Sequence, residues 1–368
     1  MVWLNICLFL QFRSNTYPKR YNKMASTENT AQEGSIAQKY TTKVKGIDFN
    51  QDIDLETLIG SLGAMGGQGT TVSEAIRVLN KVLELRTNED PNQRPFIFLG
   101  YTSNMVSCGV REILTFIAKN GLVDAFISTA GGVEEDIMKT RETSYVMDYL
   151  VNDRKWRTEG KNRIGNMVVS NDAYDYFEEF FLTVLERLQK KQVEEGVYQT
   201  PSSLIREFGK EVNKEESLYY QAYKNDIPVF SPGLIDGAIG DVLCFRGIKD
   251  DTFVLDVNAD LTKIVDLTKE AREAGRPLVG LFLGGGSIKY HALNAAKMAG
   301  GLDYGVFMTV GSPFDGSNSG ALPSQDVSRG AIKPDAETVL VTGEVSLIFP
   351  MIAAATFMKH EKKTQEQL

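Results

Sequence analysis

The stretch PFIFLGYTSNMVSCGVREIL, residues 95–114, decides the fold class. Pro95 to Gly100 is a short apolar run, as expected of a strand buried on both faces of a sheet. Tyr101, Thr102, Ser103 and Asn104 lead out of it, and a helix is predicted from about Gly109. The same order recurs at AFISTAGGVEEDIMK, residues 125–139: a strand over Val123–Ile127, a turn over Ser128–Gly132, then a helix beginning with Glu134, Glu135 and Asp136. Acidic residues in a first turn are what the helix dipole favours. It recurs again at LFLGGGSIKYHALNAA, residues 281–296, as strand Leu278–Leu283, the triple glycine Gly284-Gly285-Gly286 and helix Lys289–Met298.

Outward from these three units the rhythm continues. Helices are predicted over Val72–Arg86 and Leu261–Ala274, and strands over Ile227–Phe230, Phe253–Val257, Tyr304–Thr309 and Thr338–Thr342, with Ser346–Met358 as the last helix. Phe177, Phe181, Val184 and Leu188 recur at helical spacing in a long helix, Tyr174–Lys191. Alternating strands and helices of this kind predict an α/β fold with a Rossmann-like, mostly parallel, doubly wound sheet and helices on both faces. One domain is expected over residues 46–360, with a peripheral helical insertion at about 140–225 and a polar tail at 361–368. Residues 1–45 read as a mobile leader. Its apolar-then-basic order reverses the plan of a signal peptide, and Met24 reads as an alternative start.

Composition narrows the function. The 368 residues carry 40 Lys+Arg against 48 Asp+Glu, a formal charge of −8. That balance disfavours a phosphate backbone or an anionic membrane as the main partner and suits a cationic one. No further segment reads as transmembrane. Three scattered cysteines form neither a disulfide framework nor a zinc cluster, which points to a reducing compartment and a cytoplasmic protein.

In doubly wound sheets ligands bind beyond the carboxyl ends of the strands. The turns Thr102-Ser103-Asn104, Thr129-Ala130-Gly131-Gly132 and Gly284-Gly285-Gly286 therefore form a candidate nucleotide site, although the G-x-G-x-x-G fingerprint is absent. Asp236 and Glu344, also after predicted strands, are candidates for ribose hydroxyls. The loop Phe314–Gly320, with Ser317, Asn318 and Ser319, reads together with Asp236 and Asp241 as a pocket for an amine, since carboxylates pair with ammonium groups. His291 at a helix start is a candidate catalytic residue.

The stretches already quoted, with NRIGNMVV, SPGLIDGAIGD, FDGSNSGALPSQDVSRGAI and SLIFP, closely resemble deoxyhypusine synthase from about Lys45 to Met358. The resemblance implies a tetramer, a dimer of dimers, with NAD and spermidine sites between subunits. There, NAD oxidises spermidine, and its butylamine fragment passes through an enzyme lysine to one lysine of the precursor of translation initiation factor 5A. It also implies cofactor contacts at Ser103, Asn104, Ser107, Thr129, Ala130, Gly131, Glu135, Asp236, Gly285, Val310, Gly311 and Glu344, and amine contacts at Asp241, Asn294, Ser317 and Ser319.

The same resemblance places the carrier lysine at Ala331, which cannot form an imine. Tyr290 stands where a catalytic histidine is expected, Asn318 and Gln325 where acids are expected, and Arg329 where a tryptophan lines the amine channel. Arg329 is expected to repel a cationic substrate, and Lys333 is a poor substitute nucleophile. Five changes in one pocket resemble the inactive member of a paralogue pair of the trypanosomatid or protist type. The implied function is a regulatory subunit that activates a catalytic paralogue in a heterotetramer, a dimer of heterodimers, with little or no spermidine bound at its own site. An active synthase with an altered nucleophile is the alternative, and a module that binds the factor 5A precursor is a third reading.

Overall fold

The computed structural model describes residues 42–247 and 253–367. The leader expected over 1–45 lies outside them up to residue 41. Nine strands occur among these residues: β1 (Phe96–Tyr101), β2 (Ala125–Ser128), β3 (Tyr145–Val146), β4 (Lys161–Ile164), β5 (Met167–Ser170), β6 (Val229–Phe230), β7 (Leu278–Leu283), β8 (Leu302–Thr309) and β9 (Ile332–Thr342). Six form one parallel sheet in the order β6-β2-β1-β7-β8-β9, and β3, β5 and β4 form a small antiparallel sheet. The chain winds outward from β1 through β2 to β6, then outward the other way through β7, β8 and β9. The winding reverses between β1 and β7, so the loops leaving those two strands diverge and open a crevice.

Strand periodicity explains the layers. Ile97, Leu99 and Tyr101 pack into one apolar cluster with the helices Gly67–Arg86, Val110–Lys119 and Asn171–Glu195, while Phe96 and Phe98 pack into a second with Val257–Glu273 and Ser287–Met298. Glycines let the second cluster close. A Cβ at Gly280 would lie 2.5 Å from the Phe282 ring and one at Gly305 2.7 Å from the Phe307 ring, and these rings stack with centroids 5.3 Å apart. Burial of each such ring contributes about 1.5–3 kcal/mol. Among the described residues no helix is long and apolar enough to cross a membrane.

Besides the antiparallel sheet β3-β5-β4 inside the segment expected as a helical insertion, three elements differ from the sequence expectation. The predicted strand Phe253–Val257 is a single bridge, Leu255 to Gln199, because Asp256 accepts from Ala259 N and starts a helix at Val257. The helix expected from Glu134 begins at Ala130, so Gly131 and Gly132 lie inside its first turn and the acids beyond it. Their role is close approach: a Cβ at Gly132 would fall 2.5 Å from Ser128 Oγ. The polar segment expected as a tail continues as the helix Lys359–Gln367, with Lys359 paired to Glu56.

One buried group ties the layers together. The Asp136 carboxylate, fully shielded, accepts from Arg111 Nε at 2.6 Å, Ser217 Oγ at 2.6 Å and Leu218 N at 3.1 Å. It thereby joins the helices Ala130–Lys139, Val110–Lys119 and Leu218–Lys224. Asp136→Ala would strand a buried guanidinium, and a loss of about 3–5 kcal/mol in urea unfolding is expected; a loss below about 1 kcal/mol would refute this role.

Candidate functional site

The crevice is built from turns that touch one another. Thr102 N donates to Leu283 O at 3.2 Å, extending the β1–β7 ladder into both turns. Ser103 N donates to Thr129 Oγ1 at 3.0 Å, joining the turns after β1 and β2. Gly284 has φ of 102°, open to glycine, and a Cβ there would meet Thr102 Oγ1 at 2.8 Å. A Cβ at Gly285 would fall 2.4 Å from Ser319 Cα, and one at Gly311 2.8 Å from Gly320 N. Thr129, Ser103, Thr102, Gly284, Gly285, Ser319 and Gly311 are thus one continuous edge. Asn104 opens the short helix Asn104–Ser107 beside it.

Some helix starts carry a side-chain cap and others, such as those after Gly66, Gly109 and Leu322, do not. The helices starting at Asp54, Asn152, Ser170, Thr200, Ser217 and Asp256 each receive a side-chain cap. Those leaving Thr129 and Gly286 receive none, Thr129 having given its hydroxyl to Ser103. Their first-turn amides are available to an anion such as a phosphate.

The carboxylates beside it are buried and unequal. Glu134 accepts from Ile239 N at 2.9 Å, fixing the turn that carries Asp236 and Asp241. Glu135 Oε1 accepts from Ser107 Oγ at 2.7 Å, whereas Glu135 Oε2 is buried with no hydrogen-bond partner. Burial pushes the carboxyls of both Glu134 and Glu135 above the ordinary glutamate range, against the lowering effect of these hydrogen bonds. An acceptor left open in this way suits a ligand hydroxyl.

The amine-side residues do not converge within one chain. Asp236 and Asp241 follow β6, while Ser317, Asn318 and Ser319 follow β8, four strands away in the sheet order. No hydrogen bond or ion pair joins the two sets among the described residues. The crossovers, which sequence order conceals, separate them. Glu344 lies after β9 at the far end, where it caps its own helix by accepting from Leu347 N at 3.0 Å. Asp236 and Glu344 thus follow the two edge strands of the sheet, β6 and β9. Asn294 is half-buried on the helix Ser287–Met298.

His291 lies in the second turn of that helix rather than at its start, 6.2 Å from the Phe230 ring, and burial lowers its pKa. Its neighbour Tyr290 faces outward. The Ala331 methyl is buried in the second apolar cluster. Lys333 Nζ donates to Asp303 Oδ1 at 2.5 Å, and Asp303 also pairs with Arg272 at 2.9 Å. That pair sits where β8 and β9 begin, at the edge of the sheet opposite the glycine turns.

The structure adds two residues that sequence reasoning missed. Lys289 and Asp326, each with 2% side-chain exposure, form an ion pair at 2.9 Å. Arg329 reaches the same carboxylate at 3.3 Å, so the cation expected to repel a substrate is answered within the chain. Lys289 was findable, since it shares a helical face with the apolar Ala292, Leu293 and Ala296. Asp326, in the six-residue helix Pro323–Ser328, offered no periodicity.

Two clefts of about 300 and 250 Å³ are lined by other residues, such as Arg206 and Tyr223 or Arg141 and Tyr176. Exposed apolar side chains occur on segments that follow the strands of the large sheet: Ile235 after β6, Val310 and Phe314 after β8, and Leu347 after β9.

A family model described as deoxyhypusine synthase matches residues 57–356. The chain is 41% identical over 343 residues to a Dictyostelium discoideum protein provisionally named deoxyhypusine synthase, covering 90% of each. It is 39% identical over 342 residues to the deoxyhypusine synthase of Arabidopsis thaliana, covering 88% of this chain and 92% of the relative. A crystal structure provisionally described as deoxyhypusine synthase from Entamoeba histolytica matches with a TM-score of 0.64 at 26% identity, covering 86% of this chain and 97% of that one.

The raised carboxyl of Glu135 makes a testable statement. A carboxylate whose folded pKa lies above its unfolded one contributes stability at low pH that is lost as pH rises through the folded value. Glu135→Gln keeps the acceptor for Ser107 and removes that loss. The variant is expected to be more stable than the parent by about 1 kcal/mol in urea unfolding above neutrality, and to show little difference below the ordinary glutamate pKa. A variant less stable at every pH would contradict the assignment.

Proposed function

The chain belongs to the deoxyhypusine synthase family, and we propose that it acts there as a non-catalytic regulatory subunit that activates a catalytic paralogue. The observation that carries this reading is selective: the glycine edge keeps its close approaches, while the nucleophile position holds the buried methyl of Ala331. Lys333 is no replacement, because its ammonium is already engaged by Asp303.

The residues fit NAD. Uncapped amides after Thr129 and Gly286 suit a pyrophosphate, Gly131, Gly285 and Gly311 allow close backbone approach, and Glu135 Oε2 offers a buried acceptor for a hydroxyl. Ser103, Asn104, Ser107, Thr129, Ala130, Val310, Asp236 and Glu344 complete the proposed contacts. NAD, when bound, supplies the hydride acceptor for amine oxidation; this chain's part is to bind, orient and shield it. Without a nucleophilic amine at position 331 the chain has no group to carry the butylamine fragment, so covalent transfer falls to the paralogue.

Exposed apolar side chains on segments following β6, β8 and β9 support a site completed by a second subunit, in a heterotetramer built as a dimer of heterodimers. In such an assembly Asp241 of one chain and Ser317, Asn318 and Ser319 of another can face one amine. The substrate of the assembly is spermidine with the factor 5A precursor, and the setting is cytoplasmic.

Deoxyhypusine formation is to be measured with this chain alone, the catalytic paralogue alone and the two co-expressed. Silence alone and activation of roughly tenfold or more in the mixture are expected. Turnover by this chain alone would establish the alternative of an altered nucleophile, and a mixture no faster than the paralogue would end the regulatory reading.

A further inference from the structure

We infer that Arg329 is a resident cation: it occupies the acceptors between Asp326 and Asn318 that a ligand ammonium or guanidinium group would use, and so holds the loop Phe314–Gly320 against the sheet edge without ligand. The inference deepens the proposed amine side of the site and rests on that reading.

The loop's own hydrogen bonds are local. Phe314 N donates to Ser312 Oγ at 3.2 Å, Ser317 N to Asp315 Oδ1 at 2.7 Å and Gly320 N to Ser317 Oγ at 3.4 Å, and all three would survive if the loop lifted away. Two cations bind it to the body of the fold. Lys289 Nζ donates to Asn318 O at 3.3 Å and Ala321 O at 3.1 Å, and Arg329 donates to Asn318 Oδ1 at 3.2 Å.

These cations are not equivalent. The Lys289 side chain is 2% exposed and takes Asp326 Oδ2; the Arg329 side chain is 50% exposed and takes Asp326 Oδ1 from outside. Lys289 is therefore a structural partner of the carboxylate and Arg329 an outer one. Without the guanidinium, one oxygen of a buried carboxylate and one amide oxygen would face the same opening, the arrangement that receives an alkylammonium or guanidinium ion. Because Arg329 is tethered, its effective concentration exceeds that of a free ligand, and the loop is ordered permanently.

Hydrogen exchange of peptides spanning residues 311–330, read by mass spectrometry on the full chain, tests this. The parent should exchange slowly and ignore added cations. Arg329→Ala should exchange roughly tenfold faster there, the effect of losing charge-assisted hydrogen bonds, and millimolar methylguanidinium or spermidine should restore protection. Arg329→Lys should keep most of it. Unchanged exchange in Arg329→Ala overturns the inference, as does faster exchange that no cation reverses, which would make Arg329 a packing residue only. The readout uses this chain alone, so failure of the regulatory reading, which shows only in the paired activity assay, remains separate.

Discussion

Three consecutive carboxylates on one buried helix, Glu134, Glu135 and Asp136, constrain the whole molecule. A carboxylate taken out of water costs several kcal/mol unless it is paired or hydrogen-bonded. Asp136 is satisfied completely, by Arg111 and the start of the helix Leu218–Lys224. Glu134 is satisfied by a backbone amide and fixes the turn after β6. Glu135 is satisfied on one oxygen only. The gradient runs from the centre of the fold to the crevice, and the shortfall falls where a ligand can meet it. Glycines at 131 and 132 let that helix approach Ser103 and Ser128 closely enough for the arrangement to exist.

The Lys289–Asp326 pair repeats the logic on the other side of the winding reversal. A buried ammonium with one carboxylate and two carbonyl acceptors fixes the segment Asn318–Asp326 over the helix Ser287–Met298. Its excess lone pairs are turned outward, where Arg329 uses them. Both halves of the crevice therefore rest on a buried ion pair, Asp136 with Arg111 and Asp326 with Lys289.

Much of this was legible in the sequence because it is local. Apolar runs ending in small polar residues marked β1, β2 and β7, and the period of Phe177, Phe181, Val184 and Leu188 marked the long helix. What failed was set by tertiary context. Gly131-Gly132 looked like a turn because glycine permits turns, and only the proximity of Ser103 shows that the helix needs them for contact. Phe253–Val257 looked like a strand, but it lacks a neighbour beyond Gln199. Asp236 and Asp241 were grouped with the loop after β8 on chemical type, and the strand order puts them far apart. The Arg329–Asp326 pair is itself local, three residues apart in one helical turn, whereas the buried Lys289 that shares the carboxylate comes from a distant helix and is fixed by the fold.

Where the substitutions fall bears on what kind of change the chain has undergone. Tyr290, Gln325 and Arg329 are exposed and Asn318 is half-buried, so none of them supports the core. Ala331 is buried among apolar neighbours such as Leu302 and Ile332, an environment in which a methyl group is at ease and an ammonium is not. A methyl at position 331 therefore carries no desolvation cost. The exposed changes have no such internal justification beyond the Arg329 contacts. In the proposed heterotetramer their counterpart is the partner subunit, and a chain with a retained glycine edge and no amine at position 331 acts through that subunit.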